Sequence, residues 1–506
     1  MKKLICLALI LVLFIGIFSA SAEEKVDTRF NWYEVFVYSF SDSDGDGIGD
    51  LRGLIGKLGY IHDMGFHGIW LMPVMPSPSY HKYDVSDYLA VDERYGTLDD
   101  MKALTAACHE LGIRLIIDLP VNHSSTQHPW FLAAVEALKA GRTDDPAINY
   151  YNFSRDAGQN HVQVIGTDWY YEEQFAGGHM PDLNLDSEAV RDEIRRIMAF
   201  WLLDCGVDGF RLDAVTSFYT GNDAKNIEFL RFLNTEAEAL KPGSFLVGEC
   251  WKGLGQIAEY YQSGIDSFFL FPASQAEGYI AASMRARRPA ETYVKNLKRV
   301  SDALGDSLLT PFLSNHDTGR TVGLVQGRQA PDRVKFAHAL IALMGGYTFT
   351  YYGEEIGMAG AGADPNKRLG MLWDEDEVTD PPPGATSLEY PYPGVKAQLE
   401  DPLSILNYIK KLNHQKISMP AIALGTLAFG PTDTDTCVVI RQYQGENLYI
   451  AVNFSAKETR DVRLEGRMNL LDQLDTGSAP SSAFTQGPDT LVTLQPYGIA
   501  YLKESE

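Results

Sequence analysis

The sequence predicts an α/β chain: a (β/α)8 TIM barrel with a subdomain inserted after its third strand, then a C-terminal antiparallel β-sandwich domain. Three observations lead there. Short apolar runs alternate with helical periodicity across residues 34–412, the pattern of parallel strands joined by crossover helices, and the strand candidates number eight, enough to close a barrel. The alternation stalls over 124–185, a stretch rich in Asn, Tyr, Asp and Gly and far longer than an ordinary connection. Beyond 417 the helices cease, and strand-like runs separated by turns remain.

In chain order, residues 35–40 read as the first strand. Leu51, Leu54, Ile55, Leu58, Ile61 and Met64 then follow helical spacing until Gly65 stops it. A strand over 68–72, a helix over 98–111 stopped by Gly112, and a strand over 114–119 complete the first three units. After the stalled stretch come a helix over 189–205, a strand over 210–212, a helix over 224–240 and a strand over 245–248. Weaker strand candidates lie at 267–270, 308–313 and 348–352. A second insertion spans 353–402, where Pro381, Pro382 and Pro383 mark an irregular loop. The expected layout is therefore a barrel over 28–415, an inserted subdomain over 124–185 and a β domain over 417–506, with strands at 437–442, 448–453 and 498–502.

Charge and termini narrow the setting. The formal net charge of -24 argues against nucleic acid or an anionic membrane as partner and suits an uncharged substrate. Lys2 and Lys3 precede an apolar run over 4–18, and Ala20, Ser21 and Ala22 offer a small-residue cleavage site. Residues 1–22 thus read as a secretory signal, and no stable membrane association is expected after cleavage. Cys108, Cys205, Cys250 and Cys437 show no paired spacing, so buried free thiols are expected rather than disulfides or a zinc site.

Chemistry gathers where apolar runs break off in an acid. Asp213 follows Phe210-Arg211-Leu212, Glu249 follows Leu246-Val247-Gly248, and Asp317 follows Ser314-Asn315-His316. At the C-terminal ends of barrel strands these acids share one floor, and glycoside hydrolysis needs a pair of carboxyl groups flanking the scissile bond. Arg211 and Asp213 lie on one face of their strand, so the guanidinium can hold the carboxylate ionised. The apolar lead-in to Glu249 fits a carboxyl whose pKa burial has raised.

Together with Asp118-Leu119-Pro120-Val121-Asn122-His123 and Met180-Pro181-Asp182-Leu183-Asn184, these segments resemble the α-amylase family of glycoside hydrolases (family 13), in the family's order. The resemblance implies that Asp213 is the nucleophile, Glu249 the acid/base, and Asp317 the third acid that binds sugar hydroxyls and braces the oxocarbenium-like transition state. It further implies that His123 and His316 hydrogen-bond the sugar and that Arg211 belongs to the same subsite. Tyr80, Tyr83 and Asp84 fall in the segment expected to supply the sugar platform, with the Tyr83 ring stacking on the pyranose. Double displacement implies retention of anomeric configuration.

A second motif is Asp42-Ser43-Asp44-Gly45-Asp46-Gly47-Ile48-Gly49-Asp50. Alternate acids among glycines can wrap oxygens around a hard cation, although Gly53 at the twelfth position excludes an EF-hand. In family members with this loop, Asp42, Asp44, Asp46, Asp50 and the Ile48 carbonyl bind a structural calcium, occasionally magnesium. A second family site uses the position of Asn122, but its usual histidine ligand is replaced here by Ser217.

Substrate preference is divided. Tyr80 and Ala214 resemble endo-acting amylases, whereas the aspartate loop, Thr216 and Ser217 depart toward the oligosaccharide-acting branch. The expectation is a secreted, retaining α-glucan hydrolase cutting internal α-1,4 bonds of starch or maltooligosaccharides. The alternatives are an exo-acting α-glucosidase or transglycosidase on short oligosaccharides, and a non-catalytic sugar-binding homologue. Oligomeric state is left unassigned.

Overall fold

The computed structural model describes residues 30–175, 177–325 and 330–505. The predicted signal segment at 1–22 lies outside them. Eight parallel strands form the central sheet: β1 (Asn31–Val35), β2 (Gly68–Leu71), β3 (Arg114–Leu119), β4 (Gly209–Leu212), β5 (Phe245–Gly248), β6 (Ser267–Phe269), β7 (Leu309–Thr310) and β8 (Thr348–Tyr351). Their order is β7-β6-β5-β4-β3-β2-β1-β8. A parallel bridge from Phe312 to Phe349 closes the ring, backed by the Tyr347 and Phe349 amides donating to Leu309 and Pro311 carbonyls at 2.8 and 3.0 Å.

The first strand is displaced from its expected place. It covers Asn31–Val35, and Val37–Ser39 inside the expected 35–40 run is a 3-10 turn. Every residue from Phe30 to Ser41 is buried, so apolarity continues past the point where strand pairing stops. The expected helix over 189–205 is regular over Glu188–Ala199 and widens into a π turn over Phe200–Asp204. Asp317 is not at a strand end either: β7 stops at Thr310, and the acid follows on a loop.

Alternate residues of the strands point inward and fill the barrel. Trp32, Trp70, Ile116, Phe245, Val247, Phe269, Phe312 and Phe349 form one buried cluster with Phe271. Trp32 stacks on Phe245 and Phe349 at ring separations of 4.9 and 5.3 Å. Gly68, its neighbour on β2, leaves the space: a Cβ there would lie 2.2 Å from the indole. Two residues further along β1, β3 and β4 the inward positions become Glu34, Asp118 and Arg211, so the apolar plug gives way to charge at the C-terminal mouth.

The inserted subdomain carries a small three-stranded antiparallel sheet of Phe153–Ser154, Tyr170–Glu172 and His161–Gln163. A bridge from His123 to Asp182 ties it to the barrel, and one from Tyr151 to Leu183 lies within it. After a short helix at Ala421–Leu424 come β9 (Thr426–Thr432), β10 (Thr436–Tyr443), β11 (Glu446–Asn453), β12 (Arg460–Leu464), β13 (Met468–Leu474), β14 (Ser482–Gln486), β15 (Asp489–Leu494) and β16 (Ile499–Glu504). They form antiparallel sheets β9-β10-β11-β16-β13 and β12-β15-β14. A shared core of Val438, Ala451, Val462, Leu464, Val492, Leu494, Ala500 and Leu502 joins the two sheets into a sandwich. Among the described residues no helix is long and apolar enough to cross a membrane.

Candidate active site

The mouth of the barrel is organised by one guanidinium. Arg211 is fully buried on β4. Its Nη1 donates to Asp118 Oδ1 and Oδ2 at 2.9 and 3.1 Å and to Asp213 Oδ1 at 2.5 Å, and its Nη2 lies 2.8 Å from Glu249 Oε1. Strand register explains the gathering: Asp118 on β3 pairs with Arg211, while Asp213 and Glu249 stand one residue beyond β4 and β5. Asp213 and Glu249 therefore face each other across the width of one guanidinium, the close carboxyl pairing of a retaining glycosidase. Backbone strain sits at the same point. Ala214 has φ of 47°, in the left-handed region an alanine rarely adopts, and its amide donates to Glu249 Oε2 at 3.1 Å. The indole N–H of Trp251 donates to Glu249 Oε1 at 2.9 Å.

Asp317 is held by different cations. His316 Nε2 lies 2.9 Å from Asp317 Oδ2, and Arg368 Nη2 donates to Asp317 Oδ1 at 2.8 Å. The other nitrogen of His316, Nδ1, is 2.6 Å from Glu34 Oε1, so both ring nitrogens face carboxylates. Burial opposes a charge on His316, but Asp317 and Glu34 outweigh it and bring its pKa to about 9. Burial likewise opposes ionisation of Asp317, yet His316 and Arg368 hold its carboxyl well below the usual range.

Around Arg211 the balance runs the other way. Burial raises Asp118 to about 7 against the pull of the guanidinium, with Asp213 adding to the rise. Burial also raises Asp213, and Arg211 does not fully offset it. One guanidinium serves three acids, so the hold of Arg211 on Asp213 is shared with Asp118 and Glu249. Glu249 is raised by burial, opposed by Arg211 and reinforced by Asp213 and Asp317. Five acids (Glu34, Asp118, Asp213, Glu249 and Asp317) face three cations (Arg211, His316 and Arg368), and burial raises four of the acids while Asp317 stays low.

These groups open onto a cavity of about 470 Å³ lined by Asp213, Glu249, Asp317, Tyr83 and His123, with Phe175, Met180, Trp251, Asp364 and Arg368. Tyr83 is fixed from behind, its hydroxyl donating to Asp118 Oδ2 at 2.9 Å and lying 2.7 Å from His316 Nε2. His123 is pinned by its Nε2 to the Tyr83 carbonyl at 3.2 Å, and burial lowers its pKa to about 4, so it is neutral. Not every expected substrate contact reaches the cavity. Arg211 and His316 have no exposed side-chain surface and act beneath the floor, through the carboxylates and Tyr83. Tyr80 stands behind Arg368, whose Nη1 donates to its hydroxyl at 3.3 Å. Asp84 is buried and accepts from Ser77 Oγ at 2.6 Å and from Ser79 Oγ.

The structure adds residues that the sequence reading missed. Arg368 and Asp364 come from the second insertion, and only folding brings them to Asp317. Trp251 carried a local signal, an indole two residues after an acid, and is half exposed at the cavity rim with its ring centroid 4.1 Å from that of Phe271.

Behind the mouth, carboxylate oxygens of Asp42, Asp44 and Asp50 converge within 4.8 Å of one another. The loop is prefolded by its own carboxylates: Asp42 accepts amides of Asp44, Gly45 and Gly47 at 3.0, 2.7 and 2.8 Å. Such an all-oxygen donor set suits a hard cation. Asp46 is outside the converging trio, its Oδ1 taken by the Ile48 amide at 2.7 Å.

Comparison with known proteins places this geometry. The model of the α-amylase catalytic domain matches residues 34–425. Amy13B of Eubacterium rectale superposes with a TM-score of 0.89 at 41% identity, covering 95% of this chain and 96% of that one. Alpha-amylase 3 of Dictyoglomus thermophilum is 36% identical over 414 residues, 78% of each chain. Oligo-1,6-glucosidase of Parageobacillus thermoglucosidasius is 28% identical over 523 residues, 84% of this chain and 90% of its own.

Proposed function

The chain belongs to the α-amylase family and is a retaining glycoside hydrolase, and on that premise we propose a secreted enzyme that cuts internal α-1,4 bonds of starch or maltooligosaccharides. The observation that carries the reading is the pairing of Asp213 and Glu249 on one buried guanidinium at the floor of an open cavity.

In the proposed reaction Asp213 attacks the anomeric carbon while Glu249, protonated in its buried setting, gives its proton to the departing glycosidic oxygen. A glycosyl ester forms on Asp213, and the Arg211 guanidinium is then shared between Asp118 and the newly ionised Glu249. Glu249, now ionised and supported by the Trp251 and Ala214 N–H groups, takes a proton from the incoming water, which releases Asp213. Two inversions give net retention. Asp317, kept ionised by His316 and Arg368, is placed to accept sugar hydroxyls and to stabilise positive charge on the ring, and Tyr83 supplies the ring face at the same subsite.

Support for internal cleavage comes from the resemblance to named α-amylases and from the cavity rim, where Trp251 is half exposed. Exo action on short oligosaccharides has its own support: Asp364 and Arg368 bring a charged pair, 3.8 Å apart, into the cavity, where the hydroxyls of a chain end would be bound. A timed digest of maltoheptaose separates the two. Internal cleavage yields mixed maltooligosaccharides of α configuration from the first time points, whereas glucose alone at those points would overturn it. Calcium is the proposed ion of the aspartate loop, held by Asp42, Asp44 and Asp50 in a structural role, with magnesium as the alternative.

A further inference from the structure

Two buried basic side chains lie at the opposite end of the barrel from the carboxylates, and among the described residues neither has a counter-charge. Arg441, on β10, is 5% exposed. Its Nη2 donates to the Leu343 carbonyl at 2.6 Å and its Nη1 to the Gly425 carbonyl at 3.2 Å, while its Nε has no acceptor. Lys416, on the helix Ile405–Ser418, is fully buried, and its Nζ donates to Thr348 Oγ1 at 2.6 Å, at the N-terminal start of β8. Among the described residues no acid pairs with either. Burial and the neighbouring Arg441 push Lys416 well below the usual lysine range, and the phenol that faces Arg441, that of Tyr293, has its hydroxyl committed to the Leu340 carbonyl at 2.7 Å.

A guanidinium out of water with only dipoles around it is costly, and its partner in such a place is ordinarily an anion. The space for one is present. Arg441 lines a cavity of about 600 Å³ between the barrel and the C-terminal domain, together with Gly345, Gly346, Gly425, Ser301 and Ser307. Gly345 packs directly on the guanidinium, a Cβ there falling 3.1 Å from Nη2, so the main chain approaches without covering the group. Asp306, the acid of the lining, makes no ion pair with Arg441, and its charge disfavours large polyanions.

We propose that this cavity binds one small oxyanion, of the phosphate or carboxylate class, as the counter-ion of Arg441. The site bridges the two domains, because Leu343 and Gly345 belong to the barrel and Arg441 to the sandwich. It is independent of the glucan site, whose substrate carries no charge.

Equilibrium dialysis of the full chain against labelled inorganic phosphate tests this, with ionic strength held constant by chloride. One saturable phosphate per chain is expected, weakened at least tenfold by Arg441→Met, with glucan hydrolysis unchanged. Should Arg441→Met fail to fold, Ser307→Trp, which fills the cavity from its wall, must abolish uptake. Competition by acetate identifies a carboxylate as the preferred occupant, and its failure to compete identifies phosphate. Absence of saturable uptake of either anion overturns the proposal. So does uptake that survives Arg441→Met or Ser307→Trp, as it would for phosphate drawn to a metal on the aspartate loop.

Discussion

At the residue scale, roles follow from which charge each carboxyl faces. Asp213→Asn keeps the size of the side chain and an oxygen for Arg211, so the fold should persist while kcat falls on the order of 10⁴-fold or more. Near-normal turnover, with an unaltered circular dichroism spectrum, would refute the nucleophile. Trp251 offers a finer probe of the acid. Its N–H supports the charged form of Glu249, so Trp251→Phe removes that support and raises the pKa of the carboxyl further. Because Glu249 must be protonated to donate, the basic limb of kcat/KM against pH should move to higher pH in the variant. A limb that stays in place would mean that Glu249 does not control it.

At the scale of elements, the tightest constraint is on β1 and β2. Gly68→Ala places a methyl group in the Trp32 ring, inside a ring of aromatics that cannot retreat. A loss of about 3 kcal/mol or failure to fold is expected, and chemical denaturation measures it. The strands themselves were largely legible from sequence because most are short apolar runs set between helical stretches: β3 over Arg114–Leu119 and β5 over Phe245–Gly248 lie where the pattern puts them. β1 was not, because burial continues through Ser41 while pairing ends at Val35. Of the site, Asp213 and Glu249 are visible as strand-end acids. Arg368 is invisible because its partner Asp317 is 51 residues away, and nothing local to an irregular insertion marks that its single arginine turns inward. Tyr80 and Asp84 illustrate the converse: polar residues beside Tyr83 in sequence are spent on Arg368 and on Ser77 and Ser79.

At the scale of the whole molecule, the aspartate loop joins parts distant in the chain. Asp50 also caps the helix Leu51–Asp63 by accepting the Gly53 amide at 2.8 Å, and the Gly47 carbonyl accepts the amide of Asp380 from the second insertion at 2.8 Å. A cation there stabilises the folded state by about 2.7 kcal/mol when present at 100 times its Kd. Chelation should therefore lower Tm by on the order of 5 °C, restored by added calcium. An unchanged melting curve after confirmed metal loss would remove the loop from the list of stabilising sites.

The aromatic packing inside the barrel also sets the traffic of the reaction. With Trp32, Trp70, Phe245 and Phe349 stopping the bore, there is no rear exit, and a glucan cannot be reeled through the enzyme like thread through an eye. Substrate, departing fragment and water share a single doorway. A fragment that stayed in the cavity after cleavage would stand in the path of the water that must follow, and would so favour transfer of the glycosyl group over its hydrolysis.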